Sequence, residues 1–159
     1  MKKEKQKFGS KIFSGMLAAL MLVAIMSVTG ISSRAANTTD IGWGYNIYAS
    51  SSTYHLATPR QKQNTTPMYV YWSSTGGPTK MYVQTYGGTG KTISDMHVCN
   101  TVYGVKVLNG TGKYSVRNLV RETYGINAYG TFGVRGYEGS GTASGWWSVD
   151  SSGTYTILP

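Results

Sequence analysis

Residues 102–116 read VYGVKVLNGTGKYSV. Apolar side chains alternate on either side of Asn109-Gly110, and Asn-Gly between two alternating runs is the strongest short-range hairpin signal. Val102–Leu108 and Tyr114–Val116 are therefore expected as strands joined through Asn109-Gly110-Thr111-Gly112-Lys113. The same arrangement stands upstream, where Met81–Tyr86 runs into Gly87-Gly88-Thr89-Gly90-Lys91 and on to Thr92–Cys99. The shared Gly-Thr-Gly-Lys units begin at 88 and 110, 22 residues apart (110 − 88). Two copies fall short of a repeat array, so the expectation is two successive hairpins.

Working outward, the rest of the chain reads the same way. Ile41–Tyr48 (IGWGYNIY) places Ile41, Trp43, Tyr45 and Ile47 on one face at period two. Tyr54–Thr58 is a weak strand stopped by Pro59, Arg60–Thr66 is a polar loop, and Met68–Trp72 and Lys80–Tyr86 are strong strands. Val116, Leu119 and Val120 stand at i, i+3 and i+4 ahead of Gly125, which predicts one or two helical turns over 117–124. Ile126, Ala128, Phe132 and Val134 alternate with polar neighbours as a half-buried strand. Glu138–Gly145 reads as a glycine-serine loop, and Trp146–Val149 and Thr154–Leu158 as the last strands. Eight to ten short strands with frequent turns predict an all-β fold, an antiparallel β-sandwich, with a small closed β-barrel as the alternative.

The first 35 residues are of another kind. Lys2, Lys3, Lys5, Lys7 and Lys11 precede Gly15–Ile31 (GMLAALMLVAIMSVTGI), an uncharged apolar run. Ser33-Arg34-Ala35 then supplies small residues where a signal peptidase reads them. A basic, then apolar, then small-x-small order is that of a secretory signal peptide cleaved after Ala35; an uncleaved anchor is the alternative, since about 17 apolar residues lie at the lower edge of a span. Residues 36–159 are then a single β domain of an exported protein. The formal charge of +9 falls to +4 there, nine basic residues less five acidic. That weak, scattered charge forms no basic cluster and excludes a nucleic-acid partner. One cysteine, Cys99, excludes an intramolecular disulfide.

Candidate chemistry is sparse. Gly88–Thr92 (GGTGKT in sequence with Gly87) is not a phosphate-binding loop, because Thr85 occupies the position of that loop's first glycine and a strand, not a helix, is expected to follow. Asp95, His97 and Cys99 alternate along one expected strand and offer the groups of a small cysteine hydrolase. Neighbours at i, i+2 stand about 7 Å apart at Cα, which makes direct hydrogen bonding awkward. The carboxylate pairs Glu122/Glu138 and Asp95/Asp150 have no spacing that a sequence can measure, and no G-x-S-x-G elbow occurs. No catalytic set, metal site or cofactor is expected. All 13 tyrosines and four tryptophans follow residue 35. Tyr69, Tyr71, Tyr82 and Tyr86 pair along strand faces, and Trp72, Trp146 and Trp147 lie near turns. These seven are the candidate binding residues, since Tyr and Trp combine apolar area with a polar tip suited to sugars or lipid interfaces. Adjacent in a strand, Trp146 and Trp147 are expected to point to opposite faces, one inward and one outward.

The segments Val102-Tyr-Gly through Asn109-Gly-Thr-Gly-Lys-Tyr114, Val116-Arg-Asn-Leu-Val-Arg-Glu122 and Gly145-Trp-Trp-Ser-Val-Asp-Ser151 resemble small secreted proteins of Gram-positive bacteria. Members of that group carry a V-x-N-x-V-x-E segment and end near G-x-W-S-P-D-S; Val149 stands here in place of the proline. The resemblance implies an extracellular compact β domain and carries no reaction or cofactor, and it also implies a bacteriocin-like antimicrobial or immunity role as an alternative. Together the readings favour an exported, non-enzymatic domain that binds a cell-wall polymer, a membrane surface or a secreted protein.

Overall fold

Trp43 and Ile47 are buried along β1 (Ile41–Ile47), Ile41 and Tyr45 pack half-buried against the same core, and Gly42, Gly44 and Asn46 face outward. The period-two reading of this stretch therefore holds. The structure, a computed structural model, describes residues 36–100 and 104–158, all within one compact unit. The expected leader with its junction after Ala35, and Val102 and Tyr103 of the quoted stretch, lie outside the described residues.

The chain continues through β2 (His55–Leu56), β3 (Arg60–Gln61), β4 (Met68–Gly76), β5 (Lys80–Gly88), β6 (His97–Val98), β7 (Lys106–Asn109) and β8 (Gly112–Val116). Among the described residues a single α-helical element, α1 (Val120–Tyr124), precedes β9 (Tyr129–Glu138), β10 (Gly141–Ser148) and β11 (Thr156–Leu158). One sheet has the order β1-β10-β4-β8-β11. The other has the order β2-β9-β5-β6, with β3 also on β9 and β7 also on β5. The fold is a β-sandwich and is not closed into a barrel. Among the described residues eleven strands, five and six, exceed the expected eight to ten; the strand not expected is β3, a two-residue pairing within the polar stretch Arg60–Thr66 that carries too little pattern to be read. Every named pairing is antiparallel but β11 with β8, which is parallel.

The core between the sheets is filled by Met68, Val70 and Trp72 of β4, Met81 and Val83 of β5, Phe132 and Val134 of β9, and Trp147 of β10. Phe132 lies centrally, 5.6 Å from Trp43 edge-on and 5.3 Å from Trp147 between ring centroids. Such contacts hold the layers at fixed spacing, since ring pairs prefer tilted or edge-on geometry.

The hairpin expected at Asn109-Gly110 is not one. β7 pairs with β5 (Met81↔Leu108), whereas β8 pairs with β4 (Val70↔Tyr114), so the turn carries the chain from one sheet to the other. The β4–β5 and β9–β10 connections make the same crossing, and the three gather at one end of the sandwich. There Gly110 N–H donates to Thr79 O at 3.0 Å and Thr79 N–H to Glu138 O at 2.9 Å. Gly139 sits at φ +78° against the backbone of Gly77, where a Cβ would collide. A tight turn reads alike in sequence whether its strands pair or part; the distant partners Met81 and Val70 decide.

The upstream unit differs again. β5 and β6 do pair, Tyr86 opposite Val98, but the expected strand Thr92–Cys99 is broken by a 3-10 turn at Ile93–Asp95. Asp95 closes that turn on Thr92, accepting its N–H at 3.0 Å and its hydroxyl at 2.6 Å. Gly88 and Gly90 pack so closely on Asp95 that neither leaves room for a side chain. The helix falls within the expected 117–124, started by Asn118, whose Oδ1 accepts Val120 N–H at 3.2 Å, and ended at Gly125 with φ +67°. Residues expected to form strand from Ile126 instead make a second 3-10 turn, Gly125–Asn127. The expected glycine-serine loop over 138–145 is the end of β9, a tight turn and most of β10.

Candidate functional site

On β10 the side chains of Thr142, Ser144 and Trp146 alternate with the inward Ala143 and Trp147 and reach the outer surface, whereas Ser148, next in that phase, is buried and donates its hydroxyl to Asp150 O at 2.9 Å. Beside them the antiparallel β1 sets Asn46 opposite Thr142, Gly44 opposite Ser144 and Gly42 opposite Trp146. On the other flank β4 sets Ser74 opposite Ser144, Tyr71 opposite Trp146 and Tyr69 opposite Ser148, with a bulge at Ser144/Gly145. The bulge is where Gly145 lies directly on the Tyr71 backbone, leaving no space for a Cβ.

This open face holds one row of rings across the strands. Trp146 is 51% exposed and neighbours Tyr71; Lys113 of β8 lies opposite Tyr71, its Nζ 5.4 Å from the ring centre. A shallow depression lies on each side of the row. One, of about 260 Å³, is lined by Gly44, Tyr45, Asn46, Thr142, Ala143 and Ser144. The other, of about 190 Å³, is lined by Thr38, Asp40, Tyr69, Ser148, Ser151, Ser152 and Tyr155. Tyr155 stacks on Tyr69 at 4.6 Å, covering that ring. Burial, with Asp40 nearby, pushes the Tyr69 hydroxyl up to about 12, so it stays protonated and able to donate.

The segment that carries Thr38 and Asp40 is pinned from beneath. Asn37 N–H donates to Asp150 Oδ2 at 2.8 Å, and Arg60 donates to Asn37 Oδ1 at 2.6 Å and to Thr39 O. Asp150 is itself fully buried, with Lys62 Nζ 2.6 Å from its Oδ1. Lys62 spends its other protons on Thr66 O and Val149 O at 2.6 and 2.9 Å. The Asp150 carboxylate thus accepts from Asn37 N–H, Lys62 Nζ and Gln63 N–H, all distant in sequence. Both charges are satisfied, which marks the pair as structural support.

The seven expected binding residues divide three ways. Tyr69, Tyr71 and Trp146 come together on the outer face just described. Trp72 and Trp147 are fully buried, and Trp72 donates its indole N–H to Ser74 O at 2.8 Å. Inward-facing positions of β4 and β10 place these two rings among packed apolar side chains, where they meet no ligand. Tyr82 and Tyr86 lie on the opposite sheet, where Tyr86 is buried and donates to Gln84 Oε1 at 2.9 Å. Tyr82 belongs to a self-occupied stack: Arg135 sits 4.2 Å over it and 5.3 Å over Tyr54, and Tyr137 is 4.5 Å away. Lys80 completes that stack by pairing with Glu138 at 2.7 Å.

Asp95, His97 and Cys99 do not converge. The Asp95 carboxylate closes its own turn, which holds it below the usual carboxylate range, and His97 is exposed on β6. Cys99 is buried, its thiol 3.6 Å from Thr123 Oγ1, and burial raises its pKa. Among the described residues no group of three or more His, Cys, Asp or Glu is placed to hold a metal ion. The hydroxyls of Thr142 and Ser144 were not legible as a strand face because Glu138–Gly145 reads as a glycine-serine loop.

These features define an aromatic-rich two-sheet β-sandwich with one open, hydroxyl-bordered face. The chain belongs to the DUF2712 family, described as a protein of unknown function, whose profile matches residues 31–151. No curated protein and no solved structure matches it.

Proposed function

We propose that this is an exported, non-enzymatic binding domain that acts at the cell envelope or in the medium through the outer face of the β1-β10-β4-β8-β11 sheet. The observation that carries the reading is the exposed Trp146 beside Tyr71, set between two shallow polar depressions. The Trp146 ring, open to solvent, suits a surface partner, whereas the ring stack on the other sheet is occupied by its own Arg135. The basic leader supports export, and the separated Asp95, His97 and Cys99 favour binding over hydrolysis.

Sedimentation of the purified exported protein with isolated Gram-positive cell walls tests this. Retention in the pellet, reduced by Trp146→Ala, is the expected result. Growth inhibition of related bacteria at similar concentration would favour the antimicrobial alternative. Hydrolysis abolished by Cys99→Ala in a folded variant would overturn the non-enzymatic reading in favour of the hydrolase.

A further inference from the structure

We infer that the strip along β10 binds a neutral, hydroxyl-rich glycan chain, with a sugar ring on Trp146 beside Tyr71 and hydroxyls in the two flanking depressions. The inference rests on the binding reading of this face and names its ligand. Three positions that reach the surface, Thr142, Ser144 and Trp146, span about 14 Å at ~3.4 Å per residue, enough for a short oligosaccharide. Its chemistry alternates as a sugar chain does. Hydroxyls and an amide from Asn46, Thr142 and Ser144 lie on one side of the rings, and Asp40 with Thr38 and Ser152 on the other. A carboxylate and hydroxyls exchange hydrogen bonds with sugar hydroxyls, while rings take the apolar faces of the sugars.

Charge selects the neutral class. At the borders of the strip stand two separate cations, Lys113, already over the Tyr71 ring, and Arg60, bonded to Asn37 and Thr39, and one anion, Asp40. An anionic polymer or an anionic membrane would meet no basic cluster there. A membrane would also need more apolar area than one exposed indole flanked by hydroxyls.

Gly42 and Gly44 add an independent sign. Most close-packed glycines here are demanded by the fold, as at Gly77, Gly88, Gly136 and Gly145, where a Cβ would strike backbone. At Gly42 and Gly44 a Cβ would make only ordinary contacts, 3.8 Å from Trp146 and 3.5 Å from Ser144 Cβ, and neither has a positive φ. The fold does not need glycine at these two places. What a side chain there would do is fill the trough beside Trp146.

The test uses the purified exported protein, with soluble cello-oligosaccharides, xylan, galactomannan and N-acetylated chito-oligosaccharides as neutral probes. Polyglutamate and phosphatidylglycerol vesicles are the anionic arms. Isothermal titration and Trp fluorescence should show binding to at least one neutral glycan, little changed between low and high salt. Trp146→Ala should weaken it about tenfold or more, the scale of a lost ring contact. Gly44→Thr should weaken it with an unchanged urea midpoint, and Lys113→Ala should alter it by less than about twofold. Failure of every neutral glycan, binding only to the anionic probes, or unchanged binding in both Trp146→Ala and Gly44→Thr would overturn the inference. Cell-wall retention that persists in any of those cases leaves the broader binding reading standing; loss of retention as well removes both.

Discussion

Lys62 Nζ lies 2.6 Å from Asp150 Oδ1 with both side chains wholly out of solvent, joining residues 88 positions apart. The pair ties the segment after β3 to the turn after β10, and the second Asp150 oxygen holds Asn37 and Gln63. Removing one partner leaves the other charge buried and unpaired. Asp150→Ala and Lys62→Ala should each cost about 3–5 kcal/mol, while replacing both with apolar residues of similar volume should recover much of that. Urea unfolding of the two single variants and of Lys62→Met/Asp150→Leu measures it; additive losses in the double variant would contradict the pairing.

Two tyrosines give the protein a defined alkaline limit. Burial pushes Tyr69 and Tyr86 up to about 12, against about 10 in an unfolded chain. Between those values the folded state holds protons that the unfolded state has lost, so stability is full below about pH 10 and falls as pH rises towards 12. The unfolding midpoint should drop across that window, and Tyr69→Phe/Tyr86→Phe should flatten the drop. An absorbance titration at the phenolate band should show Tyr69 and Tyr86 ionising late, with burial raising Tyr45 and Tyr114 as well.

Local pattern made some of this molecule readable and left other parts hidden. Ile41, Trp43, Tyr45 and Ile47 declared their face because a half-buried strand at period two needs no partner to be recognised. Gly125 declared a helix end because a positive φ after an apolar turn has a residue signature. Gly141, Ser144 and Gly145 concealed β10, since their strand pairing depends on β1 and β4, 70 to 100 residues earlier. The Lys62–Asp150 pair was invisible for the same reason: each stands in a polar stretch that alone reads as solvated. On the candidate face, Trp146 and Tyr71 were visible as residues but not as neighbours, because only the register of β10 with β4 brings them together.

The crossover end separates two kinds of glycine. Gly110 is at φ +82° with nothing near its missing side chain, so Gly110→Ala carries backbone strain alone, about 1–2 kcal/mol. Gly139, at φ +78°, also abuts the Gly77 backbone, and Gly139→Ala should cost clearly more. Thermal unfolding of the two variants ranks them; equal losses would show that the three turns do not pack as described.

Cys99 is 7% exposed, and burial raises its thiol pKa. An aromatic disulfide reagent should label the native protein far more slowly than the urea-unfolded one, because both access and thiolate are limiting. Rapid labelling of the native form would place the thiol at the surface and revive the catalytic reading of Asp95, His97 and Cys99.

Trp146 and Trp147, adjacent in sequence, should part completely under mutation. Trp147 has no exposed surface, packs on Phe132 at 5.3 Å and lies under the Arg60 guanidinium at 6.0 Å. Trp147→Ala removes a large ring from between the sheets, where neighbours held by their own strands cannot close the space. Its cost should be about 3–5 kcal/mol, a third or more of a typical domain's stability. Trp146 is half exposed over Gly42, and most of its ring already meets water. Trp146→Ala should therefore change stability by only about 0.5 kcal/mol while removing the ring that the proposed ligand requires. Urea midpoints and cell-wall retention, measured on the same two preparations, should change independently. Trp147→Ala should lower the midpoint and, while folded, keep binding; Trp146→Ala should keep the midpoint and lose binding. A Trp146→Ala variant that unfolds early would make that ring a structural cover, and the outer face would lose its claim to a ligand.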